Sequence, residues 1–122
     1  MQRGLDLLFI AHYCARVPTY RGEFEHLILL ALARLGEDAY GVTIRETLIE
    51  RAGRSASFGA IYSTIRRLEA KRLVRSYKGD PEPVRGGRAK KFVALTRQGR
   101  AALKSSHAAF IRMADGIADL EA

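Results

Sequence analysis

The residues best suited to chemistry in this chain are cations, and they are concentrated in one segment. Residues 45–100 hold 15 Lys and Arg against 5 Asp and Glu, whereas residues 1–44 hold 4 against 5 and residues 101–122 hold 2 against 3. A basic segment between nearly neutral ends is typical of a protein that binds a polyanion, either a nucleic acid or an acidic membrane surface. The charge pattern therefore predicts an anionic partner for the middle of the chain.

Residue types that commonly support catalysis or metal binding do not form a recognisable site. His12, His26 and His107 fall on three different predicted helices at no ligand spacing, and the single cysteine, Cys14, cannot form an internal disulfide or a structural metal site. The sequence contains neither a phosphate-binding P-loop motif nor the nucleophile motif of α/β-hydrolases. We therefore expect no enzymatic activity, no metal and no cofactor.

Length and composition indicate one globular domain with an appended helix. The chain has 122 residues, of which 48% are hydrophobic and 28% are charged. Apolar runs such as residues 7–11 are too short to span a bilayer, and no segment resembles a signal peptide. We therefore expect a cytoplasmic protein that does not enter a membrane.

The first part of the chain has the apolar spacing of two helices. An amphipathic helix ending near Pro18 is predicted at the start, so residues 1–21 are interpreted as this helix and a linker. A strongly apolar helix follows over residues 23–35 and is expected to stop at Gly36.

Two further helices are predicted to be joined by a tight turn. The first spans about residues 40–52, and Thr43 and Glu46 are spaced as a capping box near its start, the alternative being that the helix begins one turn earlier. The second has Ser57 as its N-cap and runs to about Lys71. Two helices joined in this way indicate a helix-turn-helix.

The period then changes from that of a helix to that of strands. Residues 73–77 and 91–95 are predicted to be strands, and the basic loop between them makes the pair a β-hairpin. Thr96 is the expected N-cap of a final Ala-rich helix that runs to about Leu120.

The predicted helix after Ser57 has two distinct faces. Its inward face is expected to hold an apolar set, namely Phe58, Ile61, Ile65 and Leu68. The opposite face combines small side chains with long cations, which suits the floor of a DNA major groove, where Arg67 would reach a guanine edge and Tyr62 a phosphate. The residues of this helix expected to contact DNA are Ser57, Gly59, Ala60, Tyr62, Ser63, Thr64, Arg66, Arg67 and Lys71. The alternative is an ordinary amphipathic helix with a solvated basic face.

The hairpin tip carries a second group of cations. They surround a Gly-Gly pair at residues 86–87 and are expected to lie along a phosphate backbone or in a narrow minor groove. These expected contact residues are Arg85, Arg88, Lys90 and Lys91. The alternative is a surface loop without a partner.

The last predicted helix has a heptad-like apolar stripe that indicates a dimer interface. The expected interface residues of this helix are Leu103, His107, Phe110, Met113, Ile117 and Leu120. Leu8, Phe9 and Tyr13 of the N-terminal helix are expected to cover the same seam. The alternative is that both helices fold back onto their own domain.

Three sequence blocks carry a resemblance to a known family. The first spans residues 30–44, with an apolar helix followed by Ala-Tyr-Gly, and the second is SFGAIYSTIRRLE at residues 57–69. The third is GRAKKFVALT at residues 87–96, followed by Gly99 and Leu103. These blocks resemble the PadR family of bacterial transcriptional regulators.

The sequence departs from the family pattern at four positions. Phe58 and Ser63 stand where the family often has proline, and Ala89 replaces the usual proline of the wing. Arg72 stands where a glycine commonly ends the recognition helix. None of these changes removes a polar contact.

The resemblance implies a mainly α fold, a winged helix-turn-helix of three helices and a two-stranded hairpin wing. An extra N-terminal helix and a C-terminal dimerisation helix flank it, so the expected divisions are residues 1–21, 22–96 and 97–122. It further implies a repressor that binds a pseudo-palindromic double-stranded DNA operator as a homodimer. Many relatives release DNA when a small aromatic or drug-like effector binds near the dimer interface.

Two other functions remain open from the residues alone. A winged-helix RNA-binding or ribosome-associated protein would use the same basic surface through backbone and shape contacts. A protein-interaction module would present that surface to an acidic partner. The small-residue face of the helix after Ser57 favours DNA because it suits entry into a groove.

Overall fold

Four α-helices and a two-stranded antiparallel sheet form the computed structural model of this chain, which describes residues 20, 22–80 and 90–120. In chain order the elements are α1 (Glu23–Leu35), α2 (Gly41–Ala52), α3 (Phe58–Ala70), β1 (Val74–Lys78), β2 (Lys91–Leu95) and α4 (Arg97–Ala114). Short 3₁₀ turns lie at Gly36–Asp38 and Ala118–Leu120. The predicted mainly helical fold with a hairpin is confirmed, while the predicted N-terminal helix lies outside the described residues.

Helix α2 begins at Gly41, which agrees with the earlier of the two starts expected from the sequence. The backbone N–H of Tyr40 donates to Thr43 Oγ1 at 3.0 Å, and the Thr43 hydroxyl lies 2.5 Å from the carbonyl of Asp38. Thr43 is therefore the third residue of the helix and bonds back to its N-cap, so the capping box predicted with Glu46 is wrong. The bounds of α1, in contrast, agree with the predicted range.

All four helices and the hairpin contribute to one apolar core. Helix α1 packs against α2, α3, α4 and β2, and α3 also contacts α2 and β1. Burial of each large apolar side chain contributes roughly 1.5–3 kcal/mol to stability. The largest completely buried apolar side chains are Ile28, Leu29, Ile44, Ile61, Leu68, Leu73 and Val93.

The hairpin is anchored to the helices at both of its strands. Its register pairs Val74 with Leu95 and Lys78 with Lys91. The backbone N–H of Val93 donates to the carbonyl of Ala39 at 2.9 Å, which ties β2 to the chain just before α2. The wing base therefore has a fixed position beside α3.

The connection from α3 to β1 requires a left-handed backbone at Arg72. Arg72 has a φ of 63°, and it is the one non-glycine residue with positive φ in the described part of the chain. Its carbonyl accepts from Thr96 Oγ1 at 2.7 Å, which joins this turn to the start of α4. The helix-to-strand turn is therefore held even though its residue is not a glycine.

The start of α4 packs tightly on the domain. A Cβ at Gly99 would overlap the carbonyl oxygen of Leu73, so only a glycine permits this approach. Leu103, which was predicted to face a partner chain, is 7% exposed and belongs to the domain's own core. That prediction is wrong because the first turns of α4 pack onto α1 and β2.

Helix α4 ends at Ala114, short of the predicted end near Leu120. Asp115 leaves the helical conformation, and Gly116 follows with a φ of 85°, which L-residues with a side chain rarely adopt. Ile117 and Leu120 therefore do not extend the predicted heptad stripe along α4. None of the helices in the described residues is long and apolar enough to cross a membrane.

Candidate nucleic-acid interface

Helix α3 is held at its start by a side-chain cap and along its length by the core. Ser57 Oγ accepts the backbone N–H of Ala60 at 3.1 Å, as expected for an N-cap. Ile61, Ile65 and Leu68 point inward and are buried. Because this face packs on the core, only the opposite side of α3 is accessible to a partner.

The inward face of α3 includes Thr64, which was predicted to contact DNA. Thr64 is 1% exposed, and its Oγ1 accepts a hydrogen bond from Arg67 Nη2 at 3.0 Å. The prediction of a DNA contact at Thr64 is wrong because Thr64 lies on the buried side of the helix, together with Ile61, Ile65 and Leu68. A threonine is tolerated there because its hydroxyl is hydrogen-bonded.

The predicted inward position of Phe58 is also wrong. Phe58 is 39% exposed, and the Arg45 guanidinium lies 5.0 Å from the centre of its ring. The Tyr62 ring also stacks on Phe58, at 6.4 Å between centroids. Phe58 is the first residue of α3 and packs on these neighbours rather than in the buried core.

With the buried arc fixed, the face opposite to it is centred on Gly59, Ser63, Arg66 and Ala70. Gly59, Arg66 and Ala70 are exposed and Ser63 is half-buried. The small side chains of Gly59, Ser63 and Ala70 leave the helix backbone accessible around the one long cation of this set, Arg66. This strip, which we call the outer face of α3, has the shape that groove entry requires.

Arg67 and Lys71, which were both predicted to contact DNA, lie beside the outer face and are turned toward α1. Arg67 Nε lies 3.5 Å from Glu25 Oε2, and Lys71 Nζ lies 3.2 Å from Glu25 Oε1. The Glu25 side chain is only 7% exposed, although it lies in the first turn of α1. The sequence pattern did not predict that Glu25 is buried and paired with these two cations, because both cations are distant from it in the chain.

Tyr62 joins α3 to the start of α2. Its ring lies over Gly41, where a Cβ would overlap the phenol oxygen. The side chain is half-buried, so its position is set by packing.

A groove of about 260 Å³ separates α3 from the wing. Its lining includes Tyr62, Arg66, Ser76 and Lys91, so the structure brings cations of α3 and β2 to one surface. Lys91 is exposed, and Lys90 Nζ lies 4.6 Å from the centre of the Tyr40 ring. The wing cations Arg85 and Arg88 lie outside the described residues.

Two cations near this surface were not singled out in the sequence. Arg45 of α2 donates from Nε to the carbonyl of Ala56 at 3.0 Å, which fastens α2 to the turn before α3. Arg75 of β1 lies with its guanidinium 5.0 Å from the centre of the Tyr77 ring. The only feature of the sequence that pointed to Arg45 and Arg75 was their position in the basic segment, residues 45–100.

A second surface lies between the start of α1 and α4. Tyr20 Oη lies 2.5 Å from His26 Nδ1, and the His26 ring stacks on His107 at 5.7 Å and meets the edge of Phe110 at 5.0 Å. Burial lowers the pKa of His26, and the nearby His107 lowers it further. Burial raises the pKa of Tyr20, against the opposing effect of its hydrogen bond with Ser106.

This surface is strongly apolar beyond the histidines. A cavity of about 550 Å³ is lined there by Tyr20, His26, Phe110 and Met113, among others. Phe110 is 60% exposed and Met113 is 79% exposed. Ile111, at 57%, is a further exposed apolar residue that was not predicted. The predicted interface residues Leu8, Phe9 and Tyr13 lie outside the described residues.

The described residues contain no cluster of three or more His, Cys, Asp or Glu side chains that could hold a metal ion.

The helix pair α2–α3, the preceding α1 and the β1–β2 hairpin define a winged helix-turn-helix protein. The sequence profile of the transcriptional regulator PadR-like family matches residues 28–105. The chain belongs to this family of transcriptional regulators, which confirms the resemblance found in its sequence.

Solved structures share this fold. A PadR family transcription regulator from Clostridium difficile has 26% identity and a TM-score of 0.65, covering 81% of this chain and 97% of its own. A PadR family transcriptional regulator from Eggerthella lenta has 22% identity and a TM-score of 0.61, covering 98% of this chain and 96% of its own.

One similar structure was determined with a nucleic acid. Bacillus subtilis PadR in complex with operator DNA has 25% identity and a TM-score of 0.56, and the match covers 67% of this chain and 45% of that protein. Comparison with curated proteins gave no match.

Proposed function

We propose that this protein is a cytoplasmic, sequence-specific DNA-binding transcriptional repressor. It inserts α3 into the major groove and lays its wing along the adjacent backbone. The observation that carries the proposal is the outer face of α3, where small residues surround Arg66, next to the wing cation Lys91. The Bacillus subtilis relative in complex with operator DNA supports double-stranded DNA as the ligand.

The residues of this interface have different roles in the proposal. Gly59, Ala60 and Ser63 admit the base edges. Arg66, in place of the Arg67 expected from the sequence, reads a guanine, because its fork of donors fits the O6 and N7 atoms of that base. Arg67 is not assigned this role because it is paired with Glu25 and Thr64. Contacts with phosphates carry no sequence information and position the protein on the duplex. We assign phosphate contacts to Ser57, Tyr62, Arg85, Arg88, Lys90 and Lys91.

The repressor acts as a homodimer through α4. Phe110, Ile111 and Met113 expose apolar side chains on this helix, and a second copy would remove them from water. A two-fold axis would present two α3 helices to grooves one DNA turn apart, roughly 10 bp or a multiple of it. The operator is therefore pseudo-palindromic.

A small aromatic compound is the proposed effector. The cavity beside α4 has a volume of about 550 Å³ and an aromatic lining that includes Tyr20, His26 and Phe110. Cavities of about 300–1,000 Å³ are typical of small-molecule sites. An occupant would lie next to the exposed apolar residues of α4 and would thereby alter dimer geometry.

Selection of bound genomic DNA fragments, followed by anisotropy titrations over a range of salt concentrations, tests the proposal. We expect enriched inverted repeats and a steep salt dependence, because each phosphate neutralised adds roughly 0.9 to the log–log slope. Preferential binding of single-stranded RNA, or an affinity that does not change with salt, would contradict it. Single-stranded RNA and an acidic peptide serve as competitors that test the two other functions.

A further inference from the structure

Glu25 is a buried carboxylate in contact with two cations of the recognition helix. Its side chain is 7% exposed, and each oxygen has its own partner, with Lys71 at 3.2 Å from Oε1 and Arg67 at 3.5 Å from Oε2. An ionised group at such a position must be paired, because burial without a partner is costly. The carboxylate therefore holds both cations toward α1.

Arg67 is attached at a second point. Its Nη2 donates to Thr64 Oγ1 at 3.0 Å, so the guanidinium is fixed by a carboxylate and a buried hydroxyl together. The adjacent Arg66 is exposed and forms no ion pair within the described part of the chain. Two consecutive arginines on the same helix thus differ in whether their charge is available to a ligand.

The difference matters because of where Arg67 lies on the helix. It flanks the outer face of α3, and its side chain is still 57% exposed, so a rotation about its side-chain bonds would carry the guanidinium toward a DNA backbone. Lys71 lies one turn further along and further around the helix, away from the outer face. Arg67 is therefore the cation whose availability Glu25 controls.

We propose that Glu25 is a positioning residue that withholds Arg67 from the DNA phosphates and so limits the protein's electrostatic affinity for any duplex. This inference rests on the proposed function. Each phosphate contact strengthens binding independently of sequence. The restraint therefore acts equally on operator and random DNA and leaves base discrimination to Arg66.

The test compares Glu25→Gln with Glu23→Gln. Glu23 lies in the same helical turn and pairs with Arg54, but that pair is exposed, with side-chain exposures of 72% and 39%. Screening by solvent makes an exposed pair a weak restraint, so Glu23→Gln controls for the loss of one negative charge. Circular dichroism and thermal melting establish that both variants are folded.

The salt dependence of binding is the decisive measurement. For Glu25→Gln we expect a log–log slope steeper by roughly 0.9, the contribution of one additional phosphate contact. Affinity should rise by the same factor for a selected operator duplex and a random duplex. Glu23→Gln should leave the slope unchanged. Equal slopes for the two variants, or a changed ratio of operator to random affinity in Glu25→Gln, would overturn the inference.

Arg67→Ala provides a test that does not require Glu25→Gln to fold. With Glu25 present, this substitution should leave the salt slope for random duplex unchanged, whereas in the Glu25→Gln background it should abolish the added slope. A loss of roughly 0.9 from Arg67→Ala alone would show that Arg67 already contacts a phosphate, which contradicts the inference. If wild type itself lacks salt-dependent duplex binding, the proposed function fails first, and the two failures are thereby distinguished.

Discussion

Arg72 adopts a backbone conformation that residues with a side chain rarely take. Arg72 has a φ of 63° between α3 and β1, where an L-residue with a Cβ crowds the following carbonyl. Its side chain is exposed, so packing does not compensate directly. The surrounding hydrogen bonds maintain the turn, including that from Thr96 to the Arg72 carbonyl.

Arg72→Gly should therefore raise the free energy of unfolding by about 0.5–1 kcal/mol, because glycine adopts this conformation without a steric penalty and loses part of the gain as chain entropy. Urea unfolding measures the change. Arg72→Ala removes the same charge but keeps a Cβ, and it should give no such gain. A stabilisation of equal size in both variants would attribute the effect to charge.

The sequence predicted most of the residues on each face of α3, but it did not predict the exact rotation of the helix against the core. Helical spacing identified Ile61, Ile65 and Leu68 as inward residues. Polarity suggested that Thr64 faces outward, although a hydrogen bond from Arg67 permits its burial. The buried position of Glu25 could not be inferred, because its partners come from another helix.

At the scale of elements, the packing of α1 against α4 depends on a neutral histidine. Ser106 hydrogen-bonds to Tyr20, whose hydroxyl lies 2.5 Å from His26 Nδ1. The His26 ring is covered by His107 and Phe110. Protonation of His26 would bury a positive charge beside a second imidazole, which is unfavourable.

Stability should consequently fall on acidification. Burial lowers the pKa of His26 from its ordinary value of 6.5, so below that value the unfolded chain binds more protons than the folded one. This contribution is complete above pH 6.5 and is lost as the pH falls toward the lowered pKa. Urea unfolding between pH 7.5 and pH 5.5, in steps of about half a unit, should show the loss.

His26→Phe supplies the control for this pH dependence, since phenylalanine fills the aromatic stack without titrating. The variant should have a flatter profile over the same range, even if its stability is lower throughout. An unchanged pH dependence in His26→Phe would assign the effect to other groups.

Element boundaries were predictable where local signals determine them. The range of α1 and that of β2 followed from apolar spacing and neighbouring glycines. The end of α4 was missed because apolar residues continue past Asp115 and Gly116 with helical spacing. Those two residues stop the helix, and Ile117 therefore does not join the stripe.

At the scale of the whole molecule, two surfaces are separated by the core. Basic residues gather around α3 and the wing, whereas exposed apolar residues gather on α4. A homodimer through α4 would leave both basic surfaces free for one duplex. The two proposed interfaces are therefore compatible.

Phe110→Glu should shift the protein to monomers and weaken operator binding, because a charge would replace a 60%-exposed aromatic residue at the proposed interface. Light scattering and anisotropy measure the two effects. Phe110→Leu keeps an apolar side chain and should retain the dimer. A monomeric wild type, or a Phe110→Glu dimer with full binding, would place the interface elsewhere.

The central claim is that α3 reads bases while the wing holds the backbone, and the ratio of operator to random-duplex affinity tests it most directly. Arg66→Ala should reduce this ratio by a factor that corresponds to about 1–3 kcal/mol of binding free energy, the discrimination that a bidentate arginine–guanine contact supplies. Lys91→Ala should weaken both affinities equally and leave the ratio unchanged. An unchanged ratio in Arg66→Ala, or an equal loss of ratio in both variants, would contradict the claim.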